Sequence, residues 1–327
     1  MSDSNAGMIV GASAAAPWLS VIMPSFRGEQ WIDASLKSLA SENANGVEVL
    51  LVDGSPTRET VDIARKYSGS LNLRIFSRPD LSSWHSKTNY AVGIAEARHI
   101  CLLCVDDIWL PGRAEAAREW INSSPKAVLH LAPSIIIDRF GRRLGRWRCP
   151  LPTNCELSDS FVCEHLLVQN FIASPAPVFL RDAWLACGGL DETLWYTADW
   201  DVWLKLAASG SVLYHDVVTV GFRIHSGSLT VSGNRDIGEF AEQMNTVLNR
   251  HLPQITGDIQ KIERVARASI AMNAALAAAS AGNYHHLPSA VYKALGLGPV
   301  GMVHYLRDSR ILERLAPRVR AALTGAF

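Results

Sequence analysis

His99-Ile-Cys-Leu-Leu-Cys-Val-Asp-Asp107 decides how this chain folds. The apolar run ends in two adjacent carboxylates, Asp106 and Asp107, and a turn-like Ile108-Trp-Leu-Pro-Gly112 follows. Such a run, without polar alternation, reads as a strand buried on both faces, as in parallel sheets. The carboxylates then stand at its C-terminal tip, where open α/β sheets form their ligand crevice. Two neighbouring carboxylates repel each other unless a cation neutralises them, and a hard divalent ion bridging a diphosphate suits that role. The competing reading is a solvated acidic turn that caps the next helix.

Outward from this stretch the pattern favours the first reading. Strand signals at Leu19 to Pro24, Val47 to Asp53, Leu71 to Phe76 and Ile100 to Val105 alternate with helix signals at Gln30 to Leu39, Thr57 to Tyr67 and His85 to Ala97. Repeated β-α units predict a mostly parallel sheet flanked by helices, an α/β fold. From Ala127 to Trp147 two β-like runs surround Asp138-Arg-Phe-Gly141, a hairpin beside the sheet. Helices at Leu157 to Val168 and Arg181 to Cys187, a strand at Pro177 to Leu180 and a helix from about Asp199 follow, and Val212 to Ile224 closes the α/β region. Beyond about Asn234 the chain is rich in Ala, Leu and Arg at helical spacing. The expected division is therefore a loose tail over 1–17, an α/β domain over 18–233 and a helical C-terminal segment over 234–327.

Composition sets outer limits. With 327 residues, 48% hydrophobic and 19% charged, the chain suits a soluble globular protein, and its zero net charge gives no global attraction to nucleic acid. The N-terminal stretch lacks the basic flank of a signal peptide, and no apolar segment reaches the ~18 residues of a membrane span. Even the Ala-rich stretch from Ala266 carries Arg267, Asn273 and Ser280. A cytoplasmic location follows as the expectation. The six cysteines form no paired CxxC modules and read as free thiols. The first strand leads into Pro24-Ser-Phe-Arg-Gly28 with no G-x-G-x-x-G, which removes a nicotinamide dehydrogenase from consideration.

Parallel strands share polarity, so the tips Pro24-Ser25-Phe26 and Val52-Asp53-Gly54-Ser55 open on the same sheet edge as Asp106-Asp107. Further on stand Ser77-Arg-Pro-Asp80-Leu-Ser-Ser-Trp84-His85-Ser-Lys87-Thr-Asn89, then Gly188-Gly-Leu-Asp191-Glu192, then Thr197-Ala-Asp199-Trp200-Asp-Val-Trp203, and finally Arg223-Ile-His225-Ser-Gly-Ser228. Over roughly Leu19 to Ser228 this series resembles the inverting family 2 glycosyltransferases of GT-A fold, a Rossmann-like nucleotide-diphospho-sugar transferase architecture.

The resemblance implies roles. Pro24, Ser25 and Phe26 would lie against the nucleotide, Asp53 would bond the base, Asp80 and Lys87 would address the nucleotide or its phosphates, and Asn89 would hold the loop. The family's Asp-x-Asp-Asp metal motif is matched by Cys104-Val-Asp106-Asp107, which leaves Asp106 as ribose or metal-water partner and Asp107 as direct ligand. Mn²⁺ or Mg²⁺ is the implied cofactor, with His225 donating to phosphate or completing the metal shell. Asp199 maps onto the catalytic base, although the family's preceding Glu is Ala198 here. An inverting transfer needs one carboxylate to take the acceptor hydroxyl proton, and a helix N-terminus would favour its ionised form. The alternative role for Asp199 is a helix cap. Asp191, Glu192, Trp195, Trp200 and Arg223 complete the acceptor and diphosphate candidates, Trp200 being equally suited to core packing.

The last segment sets Leu312, Leu315, Val319 and Leu323 at near-heptad spacing among Arg310, Arg314, Arg318 and Arg320. Such a helix can lie on the anionic inner face of the plasma membrane, beside a lipid-linked acceptor, or dock on the catalytic domain or another subunit. The expected function is transfer from a nucleotide-diphosphate sugar, a UDP-sugar foremost, to a hydroxyl of a glycan or lipid-linked acceptor in cell-surface polysaccharide or lipopolysaccharide assembly. A non-catalytic nucleotide-sugar-binding or scaffold protein is the alternative.

Overall fold

The computed structural model describes residues 16–228 and 237–325. The expected boundary at 233/234 and nearly all of the expected N-terminal tail lie outside the described residues. Strands β1 (Leu19–Ser25), β2 (Val47–Asp53), β3 (Asn72–Ser77) and β4 (His99–Leu102) alternate with helices α1 (Ile32–Ala40), α2 (Glu59–Arg65) and α3 (Trp84–Ile94). They pair in parallel in the order β3-β2-β1-β4, with Ser25 opposite Asp53 and Ile22 opposite Leu102. The order reverses between β1 and β4, which places a topological switch point beside the tips of those two strands. Burial on both faces explains the unbroken apolar runs: Val21, Met23, Leu51 and Cys101 pack on one side, and Ile22, Leu50, Val52 and Ile100 on the other.

β4 is shorter than the apolar run suggests. Its ladder ends at Leu102, and Asp107 N–H bonds back to the Cys104 carbonyl in a turn. That turn feeds β5 (Ile108–Trp109), which joins a second sheet. Helix α4 (Arg113–Ser123) then leads to β6 (Leu129–Leu131), and the expected hairpin forms from β7 (Ser134–Ile137) and β8 (Arg143–Trp147). After β9 (Glu156–Leu157), α5 (Asp159–Val168), β10 (Val178–Leu180), α6 (Arg181–Ala186) and α7 (Ala198–Ala207), the closing stretch resolves into β11 (Val212–Tyr214) and β12 (Val220–Arg223). These two lie in different sheets, so the single closing element read from the sequence is two. The eight-stranded sheet runs β3-β2-β1-β4-β10-β6-β11-β9, and the smaller sheet β5-β12-β7-β8 stands beside it.

The last helices are α8 (Ile237–His251), α9 (Ile259–Ser280), α10 (Leu287–Leu295), α11 (Gly298–Ser309) and α12 (Ile311–Leu323). Phe240, Met244, Val247 and Leu248 of α8 enter the same apolar cluster as Trp200, Trp203 and Phe179. Buried Asp201 reinforces that joint, bonding Lys205 at 2.7 Å and, across to α8, Arg250 at 2.9 Å and His251 at 2.8 Å. Helix α12 docks on the hairpin: Pro317 lies so close to Gly145 that a Cβ there would come within 2.6 Å of its ring, and Glu313 pairs with Arg148. The docking face is the one opposite the apolar stripe, because Leu312, Val319 and Leu323 remain exposed. No helix among the described residues is long and apolar enough to cross a membrane.

Candidate active site

The tips of β1 and β4, the start of α3, the end of β12, the entry to α7 and one face of α12 enclose a cavity of about 990 Å³. Its near wall comes from the first strand. Pro24, Ser25 and Phe26 line it, and Phe26 is 55% exposed although aromatic, so its ring is a free face at the cavity edge. Lys87 reaches up from α3 with its ammonium 5.6 Å from that ring and 3.3 Å from the Leu81 carbonyl. Burial lowers the Lys87 pKa, while the nearby Asp53 charge opposes the shift. Asp53 is fully buried behind this wall; one carboxylate oxygen accepts from Ser55 at 2.8 Å, and the other has no partner among the described residues.

Asp106 and Asp107 form the floor, and β12 fixes them. The Arg223 N–H donates to Asp107 at 2.8 Å, and its side chain donates to the Asp106 carbonyl at 2.6 Å and the Asp138 carbonyl at 2.9 Å. His225 Nε2 lies 3.1 Å from Asp106 Oδ2, with its ring 4.8 Å from Trp31. Asp107 is pushed well above the usual carboxylate range by burial and by the Asp106 charge beside it. Burial and the carboxylates Asp106, Asp107 and Asp199 also raise the Cys104 thiol, which disfavours a thiolate in this cluster. The ligand atoms of Cys104, Asp106 and Asp107 fall within 4.8 Å of one another. Two crowded carboxylates and an imidazole suit an oxygen-preferring divalent cation, so the residues present fit Mn²⁺ or Mg²⁺.

Asp199 lies in the first turn of α7. It is not the helix cap, a position held by Thr197 without a side-chain bond. Its carboxylate accepts the Trp200 N–H at 2.7 Å and the Asn170 amide at 3.1 Å. The helix start would favour the charged form, but burial outweighs it and the pKa rises to about 6. A carboxylate tuned close to neutrality suits a general base better than an ordinary one does.

Several expected contributors are elsewhere. Asp80 is exposed and held by Arg78 through two bonds of 2.8 and 2.6 Å, and it does not line the cavity. Asp191 pairs with Arg250 at 2.9 Å, and Glu192 accepts from Asn89; neither lines the cavity. Asn89 does hold the loop, exchanging bonds of 2.9 and 3.0 Å with the Leu190 backbone. Arg223 lines the cavity, but its bonds to backbone carbonyls make it a brace for the acidic pair. Trp200 is 2% exposed and donates to the Leu166 carbonyl, which makes it chiefly a core residue. Trp195 lines the cavity, and its indole N–H donates to Glu239.

The structure adds residues that sequence reading missed. Asn170 holds the carboxylate of Asp199 from the end of α5, and its only local signal is a polar Gln169-Asn170 pair closing an apolar helix. His85 lines the cavity with its pKa lowered by burial to about 4, so it is neutral at physiological pH. Arg314 and Arg318 reach the same cavity from α12, more than a hundred residues beyond α7.

Residues 20–167 match the family model described as Glycosyl transferase family 2. An uncharacterized glycosyltransferase of Rickettsia bellii is 23% identical over 244 residues, covering 73% of this chain and 34% of its own. The amylovoran biosynthesis glycosyltransferase AmsE of Erwinia amylovora is 26% identical over 208 residues, covering 62% of this chain and 74% of its own. The chain thus spans about a third of the length of the Rickettsia relative. Among solved structures, S. aureus TarS 1-349 in complex with UDP-GlcNAc superposes with a TM-score of 0.62 at 16% identity, covering 94% of this chain and 92% of that one. The mannosyltransferase PcManGT of Pyrobaculum calidifontis in complex with GDP-Man and Mn²⁺ gives 0.51 at 16% identity, covering 94% and 87%. The fold is that of solved glycosyltransferases, and the curated relatives it resembles are named glycosyltransferases. Within that class, the match over 20–167 supports family 2.

Proposed function

We propose that this protein transfers a sugar, with inversion, from a nucleoside diphosphate donor to an acceptor hydroxyl, and that Asp199 is the general base. The observation that carries the reading is the Asp199 carboxylate at the cavity wall, with its pKa raised to about 6 and its orientation fixed by Asn170 and the Trp200 N–H. In this reading the acceptor hydroxyl gives its proton to Asp199 as its oxygen bonds to the anomeric carbon. The bond from that carbon to the diphosphate breaks on the opposite face, so one carboxylate suffices and no covalent intermediate is needed. Phe26 offers its face to the base, Lys87 its charge to the phosphates, and Asp53 its unpartnered oxygen to a ring N–H. A UDP-sugar is the favoured donor. The TarS complex with UDP-GlcNAc has the same fold and supports that preference by analogy.

Asp107, Asp106 and His225 would hold a divalent cation, which when bound neutralises the leaving diphosphate. A glycan or lipid-linked acceptor in surface polysaccharide assembly belongs to the same proposal, supported by the named role of AmsE. Contact with a membrane through the exposed stripe of α12 and a homo-oligomeric state remain parts of it as well.

The test is Asp199→Asn, which keeps size and removes the base. Turnover should fall by ~10²–10⁴ while UDP affinity holds. The wild-type rate should rise with pH through about 6, because Asp199 must be ionised, and Asn170→Ala should move that limb upward by removing a bond to the charged form. Asp199 binds its proton more tightly folded than unfolded, so its contribution to stability declines as pH rises from 3.8 to about 6. The Asn variant should therefore melt no lower than wild type at neutral pH. UDP binding without turnover of any sugar donor would leave a nucleotide-sugar-binding protein in its place, and a product of retained configuration would overturn the mechanism.

A further inference from the structure

We propose that Arg314 and Arg318 form a subsite for an anionic group on the acceptor, a phosphate or a carboxylate, on the helical side of the cavity. The proposal rests on the glycosyltransferase reading above and names the acceptor chemistry that reading leaves open. The two arginines stand four residues apart on one face of α12, and both line the cavity. Neither has a carboxylate partner among the described residues. Arg314 donates to the Asn273 amide oxygen at 3.1 Å and weakly to the Ser309 carbonyl, and Arg318 donates to the Arg314 carbonyl at 2.6 Å.

The acids nearby are already engaged. Glu313 pairs with Arg148 and Arg310, and Asp308 with Arg307. Burial lowers the pKa of both, and the Arg318 charge lowers that of Arg314 further, to about 10, which leaves Arg314 charged at neutral pH. Two half-buried guanidinium groups that no carboxylate among the described residues pairs with are costly, and an oxyanion bound between them would offset that cost through charge-assisted bonds. A purely structural helix face would be served equally well by leucine or by a paired acid.

Position points to the acceptor and away from the donor. Phe26 and Lys87 belong to the β1 and α3 side. The arginines approach from α12, and Asn273 beside them also bonds Gln169, the residue before the Asn170 that holds Asp199. Tyr196 feels the charges of Arg314, Arg318 and Asp199 together, so the pair adjoins the proposed base. An acceptor anchored there by its anion would present a neighbouring hydroxyl to Asp199.

The experiment titrates glycerol 3-phosphate, glucuronate and glucose into full-length protein saturated with UDP and Mg²⁺, which blocks the donor site. At least one anion should bind tenfold or more tighter than glucose and weaken with added salt; the two arms separate phosphate from carboxylate. Arg318→Gln keeps the Arg314 to Asn273 bond and should weaken that anion about tenfold, with UDP affinity unchanged and Arg318→Lys restoring part of the loss. Anions binding no tighter than glucose to wild type would overturn the proposal without any variant. So would equal anion binding in a folded Arg318→Gln, or a matching loss of UDP affinity, which would assign the pair to the donor. Failure of wild type to bind any nucleotide would instead defeat the reading of the cavity as a donor site.

Discussion

The two walls of the cavity are built in opposite ways. The strand-tip wall comes from short contiguous pieces, Pro24-Ser25-Phe26 after β1 and Asp106-Asp107 past β4, whose placement follows from parallel strands sharing one edge. The helical wall gathers Asn170, Asp199, Asn273, Arg314 and Arg318 from four different helices or their ends. In the proposed reading the first wall takes the constant part of a nucleotide-sugar substrate and the second takes the acceptor. A ligand-binding motif is compact where the backbone itself delivers the groups, and diffuse where packing between helices delivers them.

Three perturbations would break or sharpen that contrast. The largest should come from the floor both walls share. Chelation of divalent metal, or Asp107→Asn, should lower transfer by roughly two orders of magnitude or more, given the several kcal/mol a cation contributes at a leaving phosphate. Full turnover in excess EDTA would remove the metal from the site.

The helical wall should respond next, through stability. Asp201 is fully buried and holds Lys205, Arg250 and His251 together, and the bonds from His251 and Lys205 with the charges of Lys205 and Arg250 lower its pKa to about 2 against burial. Asp201→Ala strands them and should cost about 3–5 kcal/mol in denaturant unfolding. Because the folded pKa is depressed, the stabilisation by Asp201 is present above 3.8 and fades as pH falls toward about 2. Unchanged stability in Asp201→Ala would mean that α8 packs without this network.

The smallest effect belongs to the strand-tip wall. Asp53→Ala should weaken UDP by about 1–3 kcal/mol, the usual loss for a buried hydrogen-bond partner, while leaving anion binding at Arg314 and Arg318 untouched. Calorimetry giving wild-type UDP affinity would assign the base contact to another group.

By itself the sequence determined the parallel core, since hydrophobic runs at Val47 to Asp53 and Leu19 to Pro24 have no other economical burial than between two helix layers. It also determined that Phe26, Asp106 and Asp107 lie near one another, because parallel strand tips and the switch point bring them to one edge, whereas Asp199 was set beside them only by the family resemblance. It marked Asp80, Asp191 and Glu192 as equals of these. Only the tertiary structure showed Asp80 turned out to its neighbour Arg78 and sent Asp191 and Glu192 to Arg250 and Asn89, partners distant in sequence that no local pattern marks. The tail shows the same limit most plainly. Its arginines and apolar stripe were legible as an amphipathic helix, but a periodic pattern fixes only which residues share a face. Which face docks was decided by the fit of Pro317 against Gly145 and Glu313 against Arg148, and that choice turned Arg314 and Arg318 toward the cavity beside Asp199.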